Sequence, residues 1–336
     1  MSPAAILDRQ RDHEAPAGEH VRHLPIVPMR AEGMTVYGAD GRAYLDCLAG
    51  AGTLVLGHNH PVVIEALRRV LDSGAPLHAL DLATPIRDEF TETLLGILPP
   101  GLAKDARIHA CGSAATEHVH NVAEAPGALI ADESLTGLGR TGELWGVDHT
   151  GVTPDVMILP AAIGGGLPLA AIAYRAGLDQ WIEGAHLDCG YGDQLAMAAG
   201  TATIKYVVEH DLATRARKIG ERLRIAFEEA ARELPVLGDV RGRGLMLGIE
   251  LVDPDSAPDA SGARPPAPAL ARAVRAEVLE RGLLIELSDR SGATLGLLPP
   301  LTVTGQEADR VVELLLGAVA AVALGTAVQP NRPRRG

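Results

Sequence analysis

Apolar and polar positions along the chain alternate between two periods, and the switches mark the elements. Met34-Thr35-Val36-Tyr37 and Ala43-Tyr44-Leu45-Asp46 flank a turn at Ala39-Asp40-Gly41, which predicts a hairpin. Val62 to Leu71 has helical spacing behind Pro61, a residue suited to a first helical turn. Asp88 to Leu98 repeats that spacing and is closed by Pro99-Pro100-Gly101. Ala106 to Ala110 is a short strand running into Cys111-Gly112-Ser113-Ala114-Ala115, where a helix can start. Leu129-Ile130-Ala131 reads as a buried strand ending in two acids, Asp132 and Glu133. A glycine-rich loop, Ser134 to Gly142, follows. A second apolar strand, Val156 to Leu159, then enters Pro160-Ala161-Ala162-Ile163-Gly164-Gly165-Gly166-Leu167-Pro168-Leu169.

Beyond these loops, Gln194 to Glu209 predicts a helix of small residues and Leu212 to Leu234 an amphipathic one. Val240 to Leu251 reads as a strand, 254–268 as a mobile surface loop, and Ala269 to Arg281 as a helix. Strands at Gly282 to Leu287 and Thr294 to Leu298 precede a closing helix, Gln306 to Leu324. Strands alternate with helices from 106 to 212, which argues for an α/β fold with a mainly parallel sheet. The expected organisation is a loose arm over 1–24, a large domain over 50–212, and a smaller α/β domain built from 25–49 and 213–330.

Composition narrows the function classes. The 336 residues suffice for two cores, and with two Phe and two Trp these must be built from Ala, Leu, Val and Ile. A net charge of −13 gives no electrostatic reason to expect nucleic acid or an anionic membrane as a partner. Cys47, Cys111 and Cys189 form neither a disulfide framework nor a zinc pattern and suit a reducing cytoplasm. Met1 to His23 is polar and unlike a signal peptide. The longest apolar run, Val311 to Val328, is broken by Glu313 and fits a packed terminal helix rather than a membrane anchor.

Several stretches in order carry a family resemblance: Asp46-Cys47-Leu48-Ala49-Gly50-Ala51-Gly52-Thr53, Leu56-Gly57-His58-Asn59-His60-Pro61, Thr136-Gly137-Leu138-Gly139-Arg140-Thr141-Gly142, Gln194 to Gly200, and Arg241-Gly242-Arg243-Gly244. The chain resembles the class III pyridoxal-phosphate aminotransferases, and within them the members acting on 2,4-diaminobutyrate and 2-oxoglutarate. The resemblance implies a fold-type I architecture, pyridoxal phosphate as cofactor, and a dimer.

The same resemblance assigns positions, and many are altered. The family Lys, which holds the cofactor as a Schiff base and moves the substrate proton, falls on Ala161. Asp132 matches the acid that pairs with the pyridinium nitrogen. Where the family stacks Val on the ring and bonds its hydroxyl with Gln, this chain has Ser134 and Leu135. The phosphate turn matches Gly112 and Ser113, with Ala115 in place of a glycine. The Thr that a partner subunit contributes becomes Cys189, beside Asp188 and Asp193. The Arg that clamps the substrate carboxylate becomes Gly296. Arg241 and Arg243 survive, and bracing a strand–loop junction explains them equally well. Segments that the family places between the phosphate turn and the Asp-Glu strand are missing near 118–127, where His118 and His120 alternate without further metal ligands.

These departures predict a degenerate, non-catalytic homologue, unable to attach the cofactor covalently. Its expected role is a cytoplasmic, dimer-forming subunit, paired with itself or with an intact aminotransferase. The alternative is an active pyridoxal-phosphate transaminase of diaminobutyrate or a similar omega-amino acid. A remnant without a stable fold is the third expectation.

Overall fold

Prolines start the helices that cover the first half of the core. Pro61 opens α2 (Pro61–Ser73), and Pro85 opens α3 (Pro85–Leu95) behind Thr84, whose hydroxyl accepts the Arg87 N–H at 3.2 Å. The helix predicted from Asp88 therefore begins three residues earlier, at a Thr-Pro cap that the apolar spacing alone does not reveal. The structure is a computed structural model and describes residues 3–13, 24–80, 82–111, 127–178, 192–288 and 290–325. Before residue 25 it includes a helix, α1 (Pro3–His13).

Among the described residues, three four-stranded sheets form. In the first, β1 (Pro28–Glu32), β2 (Thr35–Gly38) and β3 (Ala43–Asp46) form an antiparallel meander, and β10 (Leu283–Leu284) pairs parallel to β3. Residues far apart in the chain thus share one sheet. A second sheet, ordered β11-β12-β9-β8, is antiparallel throughout and uses β8 (Leu237–Arg243), β9 (Met246–Leu251), β11 (Glu286–Leu287) and β12 (Thr294–Leu297). The single strand expected over Val240 to Leu251 is instead a hairpin, turned at Gly244-Leu245 with Gly244 left-handed (φ 54). Likewise Gly282 to Leu287 divides at Ile285 between two sheets.

The third sheet, ordered β4-β7-β6-β5, carries the candidate site. It contains β4 (Ala106–Cys111), β5 (Ile130–Asp132), β6 (Val156–Leu159) and β7 (Ala170–Arg175). Where a mainly parallel sheet is expected, the described strands make a mixed one: among them only β5 and β6 run parallel, and β7 is antiparallel to both neighbours. A parallel crossover needs a dozen or more residues, usually with a helix. The link from β6 to β7 is shorter and holds only a 3-10 turn over Ala161–Gly164.

The buried strand expected at Leu129 to Ala131 is also corrected. Leu129 is 45% exposed and Ile130 37%, because among the described strands β5 pairs only with β6. By contrast β6 is buried at every position, as its unbroken apolar run implies.

Helices close the layers: the short α4 (Pro100–Ala103), then α5 (Gln194–Glu209), α6 (Leu212–Glu233), α7 (Pro268–Glu280) and α8 (Gly305–Ala323). One continuous apolar cluster runs from Phe90, Met157 and Ile163 to Leu247, Leu295 and Val319. The Val311 end of the apolar run packs into that cluster, and no helix among the described residues is long and apolar enough to cross a membrane.

Candidate active site

The carboxyl ends of β4, β5 and β6 lie on one edge of the third sheet. Asp132 is level with Ile158, and Leu159 and Cys111 face the start of β7 at Ala171 and Ala170. Open α/β sheets bind ligands at such an edge. Asp132 and Ala161 are therefore brought to the same end. Cys111, which precedes the expected phosphate turn, ends there too. Gly112, Ser113, Ala115, His118, His120, Asp188, Cys189 and most of the 118–127 segment lie outside the described residues.

Ala161 opens the 3-10 turn that follows β6 and offers only a methyl group. Helix α5 holds this turn at very close range. A Cβ on Gly200 would lie 1.9 Å from the Ile163 carbonyl oxygen, so the contact exists only because residue 200 has no side chain. All three lysines, Lys104, Lys205 and Lys218, are exposed. Lys205 is engaged by Glu89 at 2.6 Å.

Asp132 is exposed, and its Oδ1 accepts the Ser134 N–H at 3.0 Å and the Ser134 hydroxyl at 2.5 Å. An acid followed two residues on by Ser closes such a turn readily. Leu135 is 49% exposed.

Its neighbour Glu133 behaves in the opposite way. It is 2% exposed, and its carboxylate accepts the Gly146 N–H at 2.8 Å, the Val147 N–H at 2.7 Å and the Thr136 hydroxyl. It thereby anchors the loop that carries Trp145, whose indole N–H donates to the Ile97 carbonyl at 2.7 Å. The sequence pattern treats the two acids alike, whereas the structure makes Glu133 the internal clamp.

Arg140, in the glycine-rich loop, is fully buried. Its Nη1 donates to the carbonyls of Leu245, at 3.2 Å, and of Pro299. Burial with no carboxylate bond lowers its pKa to about 10. This guanidinium bolts the loop to the second sheet, a role not evident from sequence spacing. Burial also pushes the Cys47 thiol well up, which keeps it protonated and inert.

Gly296 sits in β12 between Gly248 and Glu286, in the second sheet. A Cβ there would meet Ser288 Oγ at 2.9 Å and Ser288 Cβ at 3.1 Å, so the strand is closed to a larger residue as it stands. Arg241 is tied to Thr294 at 2.9 Å and lies 3.3 Å from Asp239, consistent with bracing. No group of three or more potential metal ligands occurs among the described residues.

A mixed sheet whose strand ends gather an acid and a Gly-Gly-Gly turn, joined to sheets drawn from both ends of the chain, defines the aminotransferase class of α/β folds. The sequence profile of the class-III aminotransferases matches residues 17–127 and 122–319, and the chain belongs to that family. It is 35% identical to the diaminobutyrate–2-oxoglutarate aminotransferase of Rhizobium meliloti, over 94% of this chain and 92% of that protein. It is 30% identical to the corresponding Haemophilus influenzae enzyme, over 92% and 93%. In fold it is similar to the ornithine aminotransferase of Toxoplasma gondii, with a TM-score of 0.82 at 19% identity over 97% and 96% of the two chains. Pyridoxal phosphate is the family's cofactor, and class-III aminotransferases typically form dimers.

Proposed function

We propose that this chain is a class-III aminotransferase homologue that no longer transaminates and serves as a non-catalytic, dimer-forming subunit. The observation that carries the reading is Ala161. It stands where the resemblance puts the Schiff-base Lys, at the end of β6, and an amine is required there both to hold the cofactor and to move the proton. No lysine compensates among residues near the turn in sequence.

Further observations support it. Pyridinium pairing asks for a buried carboxylate facing the ring. Asp132 is exposed and turned onto Ser134, which does not fit pairing with a ring nitrogen, and Ala161 offers no amine to hold pyridoxal phosphate covalently. Leu135 has no hydrogen-bonding group, and Gly296 no guanidinium. The family match breaks into two pieces meeting at 122–127, and the alignment with the Rhizobium meliloti protein spans 433 positions against 336 residues here. Both fit a deletion between the phosphate turn and β5.

The partner is a second copy or an intact aminotransferase, with Gly50 to His60 in the interface. Light scattering of the purified chain tests the first option, since a compact monomer at micromolar concentration contradicts self-pairing. The competing reading, an active diaminobutyrate transaminase, draws on the names of the relatives. The absorbance spectrum with added pyridoxal phosphate separates the two. The inactive reading predicts the spectrum of free cofactor, and a protein-dependent visible band of a Schiff base sinks it.

A further inference from the structure

The outer edge of β5 is open. Val156 donates its N–H to the Leu129 carbonyl at 3.1 Å, and Glu133 donates its own to the Ile158 carbonyl at 3.0 Å. Ile130 is level with Val156 and Asp132 with Ile158, so the parallel ladder uses backbone groups of residues 129, 131 and 133. The N–H and C=O of Ile130 and of Asp132 therefore point away from β6, and no other described strand lies on that side. Among the described residues, neither backbone group of Ile130 has a hydrogen-bond partner. Ile130 is also 37% exposed and Leu129 45%.

Such an edge is a template for another strand, and proteins ordinarily blunt it with Pro, Lys or a bulge. Leu129-Ile130-Ala131 contains neither residue, and its pairing with β6 is regular. The one exposed charge on the strand, Asp132, is bonded to Ser134. An uncharged edge gives a charged partner nothing to recognise. It fits another uncharged edge, and a second copy of this chain brings one. Two identical edges laid antiparallel about a two-fold axis supply each outward N–H with a C=O.

We propose that two copies of this chain join β5 to β5, antiparallel about an axis at Ile130, and so merge two four-stranded sheets into one continuous sheet. Ile130 of each copy then donates to and accepts from Ile130 of the other, with two β-branched side chains opposed across the seam. An axis at Ala131 would instead set each Asp132 against an Ile130, so the Ile130 register is favoured. In that register the two Asp132 residues are four positions apart along the seam, about 14 Å at a rise of about 3.4 Å per residue. That exceeds the screening length of about 8 Å at physiological salt. Three residues a side make a small contact, in the class of weak, transient interfaces. The inference rests on the open edge and not on the loss of transamination, and it uses a surface separate from Gly50 to His60.

The test is light scattering of the full chain from micromolar to millimolar concentration, with two edge variants. Ile130→Pro removes the outward N–H and no bond to β6, a change that a sheet edge tolerates, so its melting temperature should stay close to that of the wild type. Ile130→Lys keeps the backbone donor and sets two cations opposite each other across the seam. Each is expected to halve the mass of the wild-type assembly. Ile130→Cys, oxidised with diamide, is expected to give a cross-linked dimer well above the wild-type background, since Cα atoms of such a pair lie about 5.5 Å apart. A fall from four copies to two supports this contact together with the Gly50 to His60 interface. A fall from two copies to one supports this contact alone. Equal masses for the wild type and a folded Ile130→Lys chain overturn the proposal, as does Ile130→Cys cross-linking no better than the wild type. If that equal mass is a dimer, the Gly50 to His60 interface still stands; if it is a monomer, both contacts fall.

Discussion

The carboxylate of Asp132 is turned onto Ser134, accepting its backbone N–H at 3.0 Å and its hydroxyl at 2.5 Å. The acid that the proposed reading matches to the family's ring partner is here engaged by its own loop, while Glu133 beside it is buried as a structural clamp. The two adjacent acids therefore separate by experiment. Glu133→Ala leaves two backbone N–H groups unpaired and should cost about 2–4 kcal/mol of stability. Asp132→Ala, at an exposed turn, should cost under about 1 kcal/mol. Chemical denaturation measures both, and equal losses would contradict these roles.

Restoring the amine alone should not restore chemistry. Ala161→Lys is expected to show no transamination of diaminobutyrate, because Leu135, Cys189 and Gly296 still lack the groups the family uses. Each missing contact costs about 1–3 kcal/mol, and several together remove many powers of ten from a rate constant. Turnover by this single variant, followed as glutamate formation, would mean that the rest of the site is intact.

Much of the fold was legible in the sequence and some of it was not, for local reasons. The apolar run of β6, the Asp132-Glu133 strand end and the helical stripe behind Pro61 each carry a short-range signal. What failed depended on distant partners. The exposure of Ile130 follows from β5's place in the strand order, which no window around it encodes. The antiparallel course of β7 follows from the short link after β6. The hairpin turned at Gly244-Leu245 was hidden because its first strand, Leu237–Arg243, shows little apolar alternation, so only the apolar run after Gly244 signals a strand. The burial of Arg140 against Leu245 and Pro299 is likewise a long-range contact.

The Gly296 strand is expected to reject the family's larger residue. Gly296→Arg should lower stability by about 1–3 kcal/mol through overpacking against Ser288. Adding Ser288→Gly should recover part of the loss. A fully stable Gly296→Arg protein in a thermal melt would show that the strand has room for a side chain.

Acid should destabilise the fold partly through His60. Its folded pKa is lowered from 6.5, chiefly by burial. Below that value the unfolded chain binds more protons than the folded one, so stability falls as pH drops from 6.5 toward the folded pKa. The pKa of Asp155 is lowered by the Leu129 N–H and by Arg175, and its contribution is lost in more acidic solution, as pH falls below 3.8. Denaturant midpoints at pH 7.5 and 5.5 should differ less in His60→Phe than in the wild-type chain. An identical pH dependence would remove His60 as a source.

The central claim is that this class-III aminotransferase homologue does not transaminate. Its most direct test is glutamate formation by the wild-type chain supplied with 2,4-diaminobutyrate, 2-oxoglutarate and excess pyridoxal phosphate. The account predicts a rate equal to that of the same mixture without protein. Glutamate formation that rises with protein and saturates with diaminobutyrate would contradict it.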